Sequence, residues 1–175
     1  MILIPKFNNI VQLGGTLAIA HFGPDGKLID DRFYSNIVVT VGKQWIAGRM
    51  KDTVSGYTIP VQMAFMAVGG AATVGANPAK TTPVVGDSQL STGGSPVLAE
   101  LARVGLTTAG GGVSGAVVTY AATFAAGTGT GSLIEAGIFT TTGAASGVML
   151  CKTSFDVVNK AANDSIAITW TVTIQ

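Results

Sequence analysis

Between Gly127 and Thr140 the chain reads GTGTGSLIEAGIFT, alternating glycine and threonine that give way to a short apolar run with one carboxylate in its middle. Glycine this dense ahead of such a run reads as a loop feeding a buried strand. Glu135 is one of only two glutamates in the chain, and a carboxylate among strand residues needs a partner. The candidate partner is Arg103, in the segment Glu100-Leu101-Ala102-Arg103-Val104. Both residues are flanked by apolar neighbours. A Glu135–Arg103 ion pair would therefore lie close to the core and fix the register of two strands, since a one-residue slip turns Glu135 to the opposite face. An arginine fork offers donors to both carboxylate oxygens, which lysine cannot reproduce.

The rest of the composition agrees with a chain built from strands. Hydrophobic residues make up 47% of 175 positions, charged residues only 11%, and there are 24 glycines. Soluble domains carry about 25% charge, so a surface this poor in charge is adhesive if left bare. Much of it is expected to be covered by other subunits. The formal net charge of +1 comes without any basic run and leaves no electrostatic footprint for nucleic acid. The apolar stretches are interrupted well before the roughly 20 residues that a membrane helix requires. Met1-Ile2-Leu3-Ile4-Pro5 is too short for a signal-peptide core, so synthesis in the cytoplasm is expected. Cys151 is the single cysteine and excludes an internal disulfide.

In chain order, residues 1–13 are apolar but aperiodic, broken by Pro5 and Asn8-Asn9. They read either as a docked terminal strand or as an arm, led by Ile2, Leu3, Ile4 and Phe7, that reaches a neighbouring subunit. Thr16 to Phe22 alternates, Gly23-Pro24-Asp25-Gly26 is turn chemistry, and Leu28 to Ser35 returns, which predicts a hairpin. Thr40 is a candidate cap for a helix from Val41 to Met50, with Val41, Trp45, Ile46 and Met50 on one face. Gly42 and Gly48 weaken that helix by about 1 kcal/mol each relative to alanine.

Further strands are predicted at Val61 to Val68, Ala102 to Thr107, Ala116 to Ala125, Leu133 to Thr140, Val148 to Phe155 and Ser165 to Ile174. In the last of these Ile166, Ile168, Trp170, Val172 and Ile174 share one face. A long segment rich in Gly, Ser, Thr and Pro runs from Gly69 to Pro96, and a loop of that length is either functional or held against a partner. Pro96 to Glu100 reads as a brief helical turn, and Ala109 to Ser114 as a flexible link. Together these elements predict an all-β chain: a β-sandwich with one short helix at its side or end and a long Gly/Pro/Ser-rich loop. The expected organisation is an arm or docking strand at 1–13, a hairpin and helix elaboration at 14–60, and the β-sandwich assembly domain at 61–175.

No constellation for catalysis, metal or cofactor stands out. The Gly127–Gly131 loop lacks the Gly-Lys-Ser/Thr ending of a phosphate loop and lies between two predicted strands. His21 has no second histidine to join it in a metal site. Asp25, Asp30 and Asp31 do not match the spacing of a calcium loop and read as solvated turn carboxylates. Cys151 with one histidine forms no recognisable nucleophile pair. Glu135 with Glu100 would make an acid/base dyad, but Arg103 favours a structural ion pair instead. No enzyme activity, cofactor or metal is expected.

Five segments nevertheless form a recurring set: Phe65-Met66-Ala67-Val68-Gly69-Gly70, Leu98-Ala99-Glu100-Leu101-Ala102-Arg103-Val104, Ile134-Glu135-Ala136-Gly137-Ile138-Phe139, Met149-Leu150-Cys151-Lys152-Thr153, and Asp164-Ser165-Ile166-Ala167-Ile168-Thr169-Trp170. The set resembles small virion proteins of tailed bacteriophages and the amino-terminal attachment domain of phage tail-collar fibre proteins. That pattern pairs an M-A-V-G strand with an E-x-x-R segment and an E-A/I-G-L/I-F strand, and the resemblance covers about residues 61 to 175. It implies a non-enzymatic structural protein of the virion, made in the host bacterial cytoplasm, whose partners are copies of itself and other virion proteins of the tail, neck or capsid, with no nucleic acid and no membrane. The chain ends at Gln175 directly after its last strand, where an attachment domain would continue into a fibre. A stand-alone ring, adaptor or decoration subunit is therefore expected. A tail-side attachment or adaptor role is favoured, a capsid decoration (cement) protein is the alternative, and a carbohydrate-binding β-sandwich is disfavoured by aromatics at only 7%.

Overall fold

The computed structural model describes residues 12–50, 60–91, 93, 97–144 and 146–175. Ten strands and one helix follow in the order β1 (Leu13–Phe22), β2 (Leu28–Ser35), β3 (Ile37–Val38), α1 (Thr40–Arg49), β4 (Phe65–Ala71), β5 (Leu98–Gly105), β6 (Thr107–Ser114), β7 (Val117–Phe124), β8 (Gly131–Phe139), β9 (Met149–Lys160) and β10 (Ser165–Ile174). They form two five-stranded sheets, one ordered β2-β1-β10-β7-β6 and the other β3-β9-β8-β4-β5. Every strand pairing between these elements is antiparallel. The chain is thus mainly β, with its two sheets in contact through a shared core.

That core is what the alternating strands supply. Ile166, Ile168, Trp170 and Val172 of β10, Leu17 and Ile19 of β1 and Phe124 of β7 meet Met66 and Val68 of β4, Leu133 and Ile138 of β8, and Phe155 of β9. Each such side chain, removed fully from water, contributes about 1.5–3 kcal/mol. β10 holds the centre of its sheet, in register with β1 from Leu13↔Ile174 to Phe22↔Ser165. The predicted hairpin forms as read: Gly23 N donates to Lys27 O, and Gly26 supplies the positive φ of 75° that closes the turn.

Several expectations change. β1 is hydrogen-bonded along its whole length to β10 and puts Leu17 and Ile19 in the core, so the boundary at residue 60 does not separate an elaboration from a domain. Thr40 is the first residue of α1 and not its cap; Val39 holds the cap position without any side-chain hydrogen bond. Gly42, read as a weakness, is required: a Cβ there would collide with the Leu150 backbone oxygen, because α1 lies directly on β9. Leu98 to Glu100 belong to β5 and form no helical turn.

Residues 109–114 are likewise a strand and not a link, with their register to β7 broken between Thr107 and Gly112. As the edge strand of its sheet, β6 accommodates a glycine-rich, bulged sequence that a central strand would not. The candidate arm residues Ile2, Leu3, Ile4 and Phe7 lie outside the described residues. The described chain starts at Gln12, which exchanges backbone hydrogen bonds of 2.7 and 2.8 Å with Gln175.

Candidate functional site

β8 is buried on both faces, all nine of its residues included. One face joins the shared core, and the other is covered by the long Gly/Pro/Ser-rich segment that follows β4. The described residues of that segment run as a strap across the outer side of β8 and β9, fastened at several points. Ser132 Oγ donates to Thr73 O (3.0 Å), Gly75 N donates to Asn159 Oδ1 (3.1 Å), and Lys80 pairs with Asp156 at 2.9 Å. Thr40 N, at the start of α1, donates to Val85 O (2.7 Å). The loop is held against the chain's own sheet.

Beneath the strap lies a buried polar group centred on Lys152. Its Nζ is 3.2 Å from Glu135 Oε2 and 3.3 Å from Asp87 Oδ2. Neither contact is aligned as a hydrogen bond; the one hydrogen bond that Nζ makes among the described residues is a 3.3 Å contact to Ser91 Oγ. Glu135 Oε1 accepts the Ser91 backbone N–H at 2.7 Å, while Oε2 has no hydrogen-bond donor among the described residues. The Glu135 and Lys152 side chains are 0% and 4% exposed.

Glu135 and Arg103 therefore do not pair with each other. β4 lies between β5 and β8, so Arg103 is two strands away from Glu135, whereas Lys152 of β9 is next door. Arg103 instead makes a two-pronged contact with Glu100 of its own strand, Nε to Oε1 and Nη2 to Oε2, both at 2.8 Å. Residues three apart on a regular strand face opposite ways. Here Val68 and Gly69 pair with Ala102 and Glu100, so Leu101 is an extra residue, and this bulge brings Glu100 and Arg103 to one face. Arg103 Nη1 also donates to Thr141 O (2.9 Å) and Ser146 O (3.1 Å), and the guanidinium lies 3.7 Å from the Phe139 ring centroid.

The outer face carries a second apolar cluster of Val39, Ala67, Leu90, Phe139 and Met149. Gly69 and Gly137 leave room for it and for the acid. A Cβ on Gly69 would stand 2.8 Å from Glu135 Oε1, and one on Gly137 would meet the Phe139 ring at 2.9 Å. Composition alone could not reveal this arrangement, because Lys152, Asp87 and Ser91 become partners of Glu135 only through strand order and the path of the strap.

A different polar group closes one end of the molecule. His21 Nε2 and Asp164 Oδ2 are 2.9 Å apart, Ala161 N donates to the same oxygen at 2.9 Å, and Lys160 Nζ donates to Ala125 O (3.0 Å) and Asp164 O (2.7 Å). Burial pushes the Asp164 carboxyl up, but the bonds from Ala161 and His21 and the charges of His21 and Lys160 prevail and hold it below its ordinary value. Burial lowers Lys160, partly opposed by Asp164. The glycine-rich loop ahead of β8 is tied to this end by Gly127 N donating to Ala162 O.

Cys151 is buried among core residues, and burial raises its thiol well above the ordinary range. Asp25 pairs with Lys27 at 2.8 Å, and Asp30 with Arg32, whose Nη1 donates to Asp156 O and Val157 O. Among the described residues no three His, Cys, Asp or Glu side chains are grouped to hold a metal ion.

At the opposite end α1 leaves apolar surface open. A groove of ≈ 400 Å³ runs between Trp45, Met50, Met63, Val113, Tyr120 and Ile174. Met50 is 82% exposed and Val113 75%. A second groove of ≈ 720 Å³ shares Ile46, Met50 and Ile174 and is bordered by Gln12 and Leu13, where the amino-terminal segment joins. No protein-family model, curated protein or solved structure matches this chain.

Proposed function

We propose that this protein is a non-catalytic structural subunit of a tailed-phage virion, its two sheets forming a β-sandwich that assembles in multiple copies as a tail-side attachment or adaptor subunit. The observation that carries the reading is the open apolar surface around α1, where Met50, Val113 and Ile174 border two adjoining grooves. Contiguous apolar surface on a soluble chain marks a place where another protein binds, and with 11% charged residues the chain has little else to keep copies apart.

The amino-terminal segment supports the same reading. Ile2, Leu3, Ile4 and Phe7 precede Gln12 at the rim of the second groove, so an arm from one copy has apolar surface to meet on another. The polar groups argue for structure and not turnover. The Arg103–Glu100 pair, the His21–Asp164–Lys160 group and the Glu135–Lys152 group each engage the chain's own backbone or side chains.

Immunogold electron microscopy of phage particles, with an antibody raised against this chain, tests the proposal. Label at the tail or neck is expected. Label over the head would replace it with the capsid-decoration reading, and particles without label would overturn the virion role.

A further inference from the structure

We infer that Lys152 and Asp87 become joined by an intramolecular amide bond, with Glu135 as the proton-transferring catalytic residue. The starting point is an anomaly in the buried group under the strap. The Lys152 side chain is 4% exposed and, among the described residues, its amine makes a single long hydrogen bond of 3.3 Å. Two carboxylates stand at 3.2 and 3.3 Å without hydrogen-bond alignment, and a fully buried oxygen, Glu135 Oε2, has no donor among the described residues. As an ion cluster this is a poor arrangement, since buried charges need well-made hydrogen bonds to offset lost hydration. As a set of reactants it is complete.

The two carboxyl groups are not equivalent. Asp87 is carried by the strap, with its Oδ2 accepting the Val84 N–H at 3.1 Å, and its side chain is 23% exposed, so a small leaving molecule has a way out. Glu135 is 0% exposed on a central strand and is anchored through Oε1 to Ser91 N, which leaves Oε2 free to take and return a proton. Asp87 is therefore the group that reacts and Glu135 the group that shuttles.

Nζ is 3.3 Å from Asp87 Oδ2, one bond from the carbon to be attacked; productive ground states hold reacting atoms about 3–3.5 Å apart. Passing one proton from the ammonium to the Asp87 carboxylate gives the free amine and the carboxylic acid that the condensation requires. The Nζ lone pair then forms a bond to Cγ. Glu135 accepts a proton from the nitrogen and delivers it to a hydroxyl of the tetrahedral centre, the C–O bond breaks, and water leaves. One amide and one water replace one amine and one acid, with no oxidant, reductant or further reactant. The remaining amide N–H is left beside Glu135 Oε2, the oxygen that lacks a donor. The bond would tie the strap permanently to β9, a covalent lock suited to a subunit under mechanical load, although the chemistry does not depend on the assembly role.

Intact-mass measurement of the purified full chain, followed by peptide mapping, decides the matter. The expected result is a chain lighter than its sequence mass by one water, with peptide 81–103 joined to the peptide containing Lys152 and fragmentation placing the link at Asp87. Asp87→Ala and Glu135→Gln should each restore the full mass and release the two peptides. A wild-type chain at full sequence mass with both peptides recovered separately overturns the inference, as does loss of water without a joined peptide, or a link at Glu135. The wild-type measurement stands whether or not either variant folds.

Discussion

Arg103 has five N–H donors to satisfy, and it makes four hydrogen bonds among the described residues without reaching another strand's side chain. Two go to Glu100, and Nη1 serves the carbonyls of Thr141 and Ser146. The pair is nearly sealed, with side-chain exposures of 2% and 9%. Removing one partner of a buried pair costs about 3–5 kcal/mol, whereas replacing both with apolar groups of similar size is often close to neutral. Glu100→Gln and Arg103→Met should therefore each lower stability by about that amount in urea denaturation. The double variant should recover much of the loss, less the share from the two carbonyls left without a donor.

Cys151 gives the residue scale a pH signature. Its buried thiol has a raised pKa in the folded state, chiefly through burial. The stabilising difference is thus fully present below the unfolded thiol value of about 8.5 and is lost as pH rises above it, at up to about 1.4 kcal/mol per pH unit for one proton. Tyr120, raised by burial to about 12, adds the same sign at higher pH. In urea titrations above the thiol value, stability should fall less steeply with pH for Cys151→Ala than for the parent, whatever the offset between the two.

Among the elements, those governed by periodicity were legible and those governed by partners were not. β10 falls where alternation puts it, because a half-buried strand writes its two faces into the sequence, and β2 falls where the turn at Gly23–Gly26 returns the chain. β6 was hidden because Gly110, Gly111 and Gly112 look like a breaker, yet an edge position beside β7 tolerates them. Glu135 is fully buried, but its partner depends on β9 and not β5 lying beside β8, and Arg103 meets Glu100 only through the bulge at Leu101; neither leaves a local signal. The strap was visible only as a long polar loop, since its anchors Gly75 and Ser91 find partners 84 and 44 positions away.

α1 shows the same tension between local and tertiary terms. By propensity, Gly42→Ala should gain about 1 kcal/mol. Against that, the new methyl would be driven into the Leu150 backbone oxygen, and forcing atoms into a packed contact costs about 1–3 kcal/mol. Because backbone cannot swing aside as a side chain can, the collision should win. Thermal melts should show Gly42→Ala less stable than the parent, while Gly86→Ala, where a Cβ meets nothing within 4 Å, should change little.

For the whole molecule, burial is uneven in a way that points outward. One end is tied by the His21–Asp164–Lys160 group, with Leu28 and Ile29 of β2 exposed beside it, and the outer face of β8 is closed by the strap. The end around α1 leaves Met50 and Val113 bare above two apolar grooves. Sedimentation velocity of the full chain beside Met50→Glu tests most directly whether this surface exists to join copies. Met50 is 82% exposed, so the substitution should leave the melting temperature of the fold essentially unchanged. The parent is expected to sediment as an oligomer at micromolar concentration, and Met50→Glu to shift toward the monomer. A parent chain that sediments as a stable monomer under those conditions would contradict assembly through this surface.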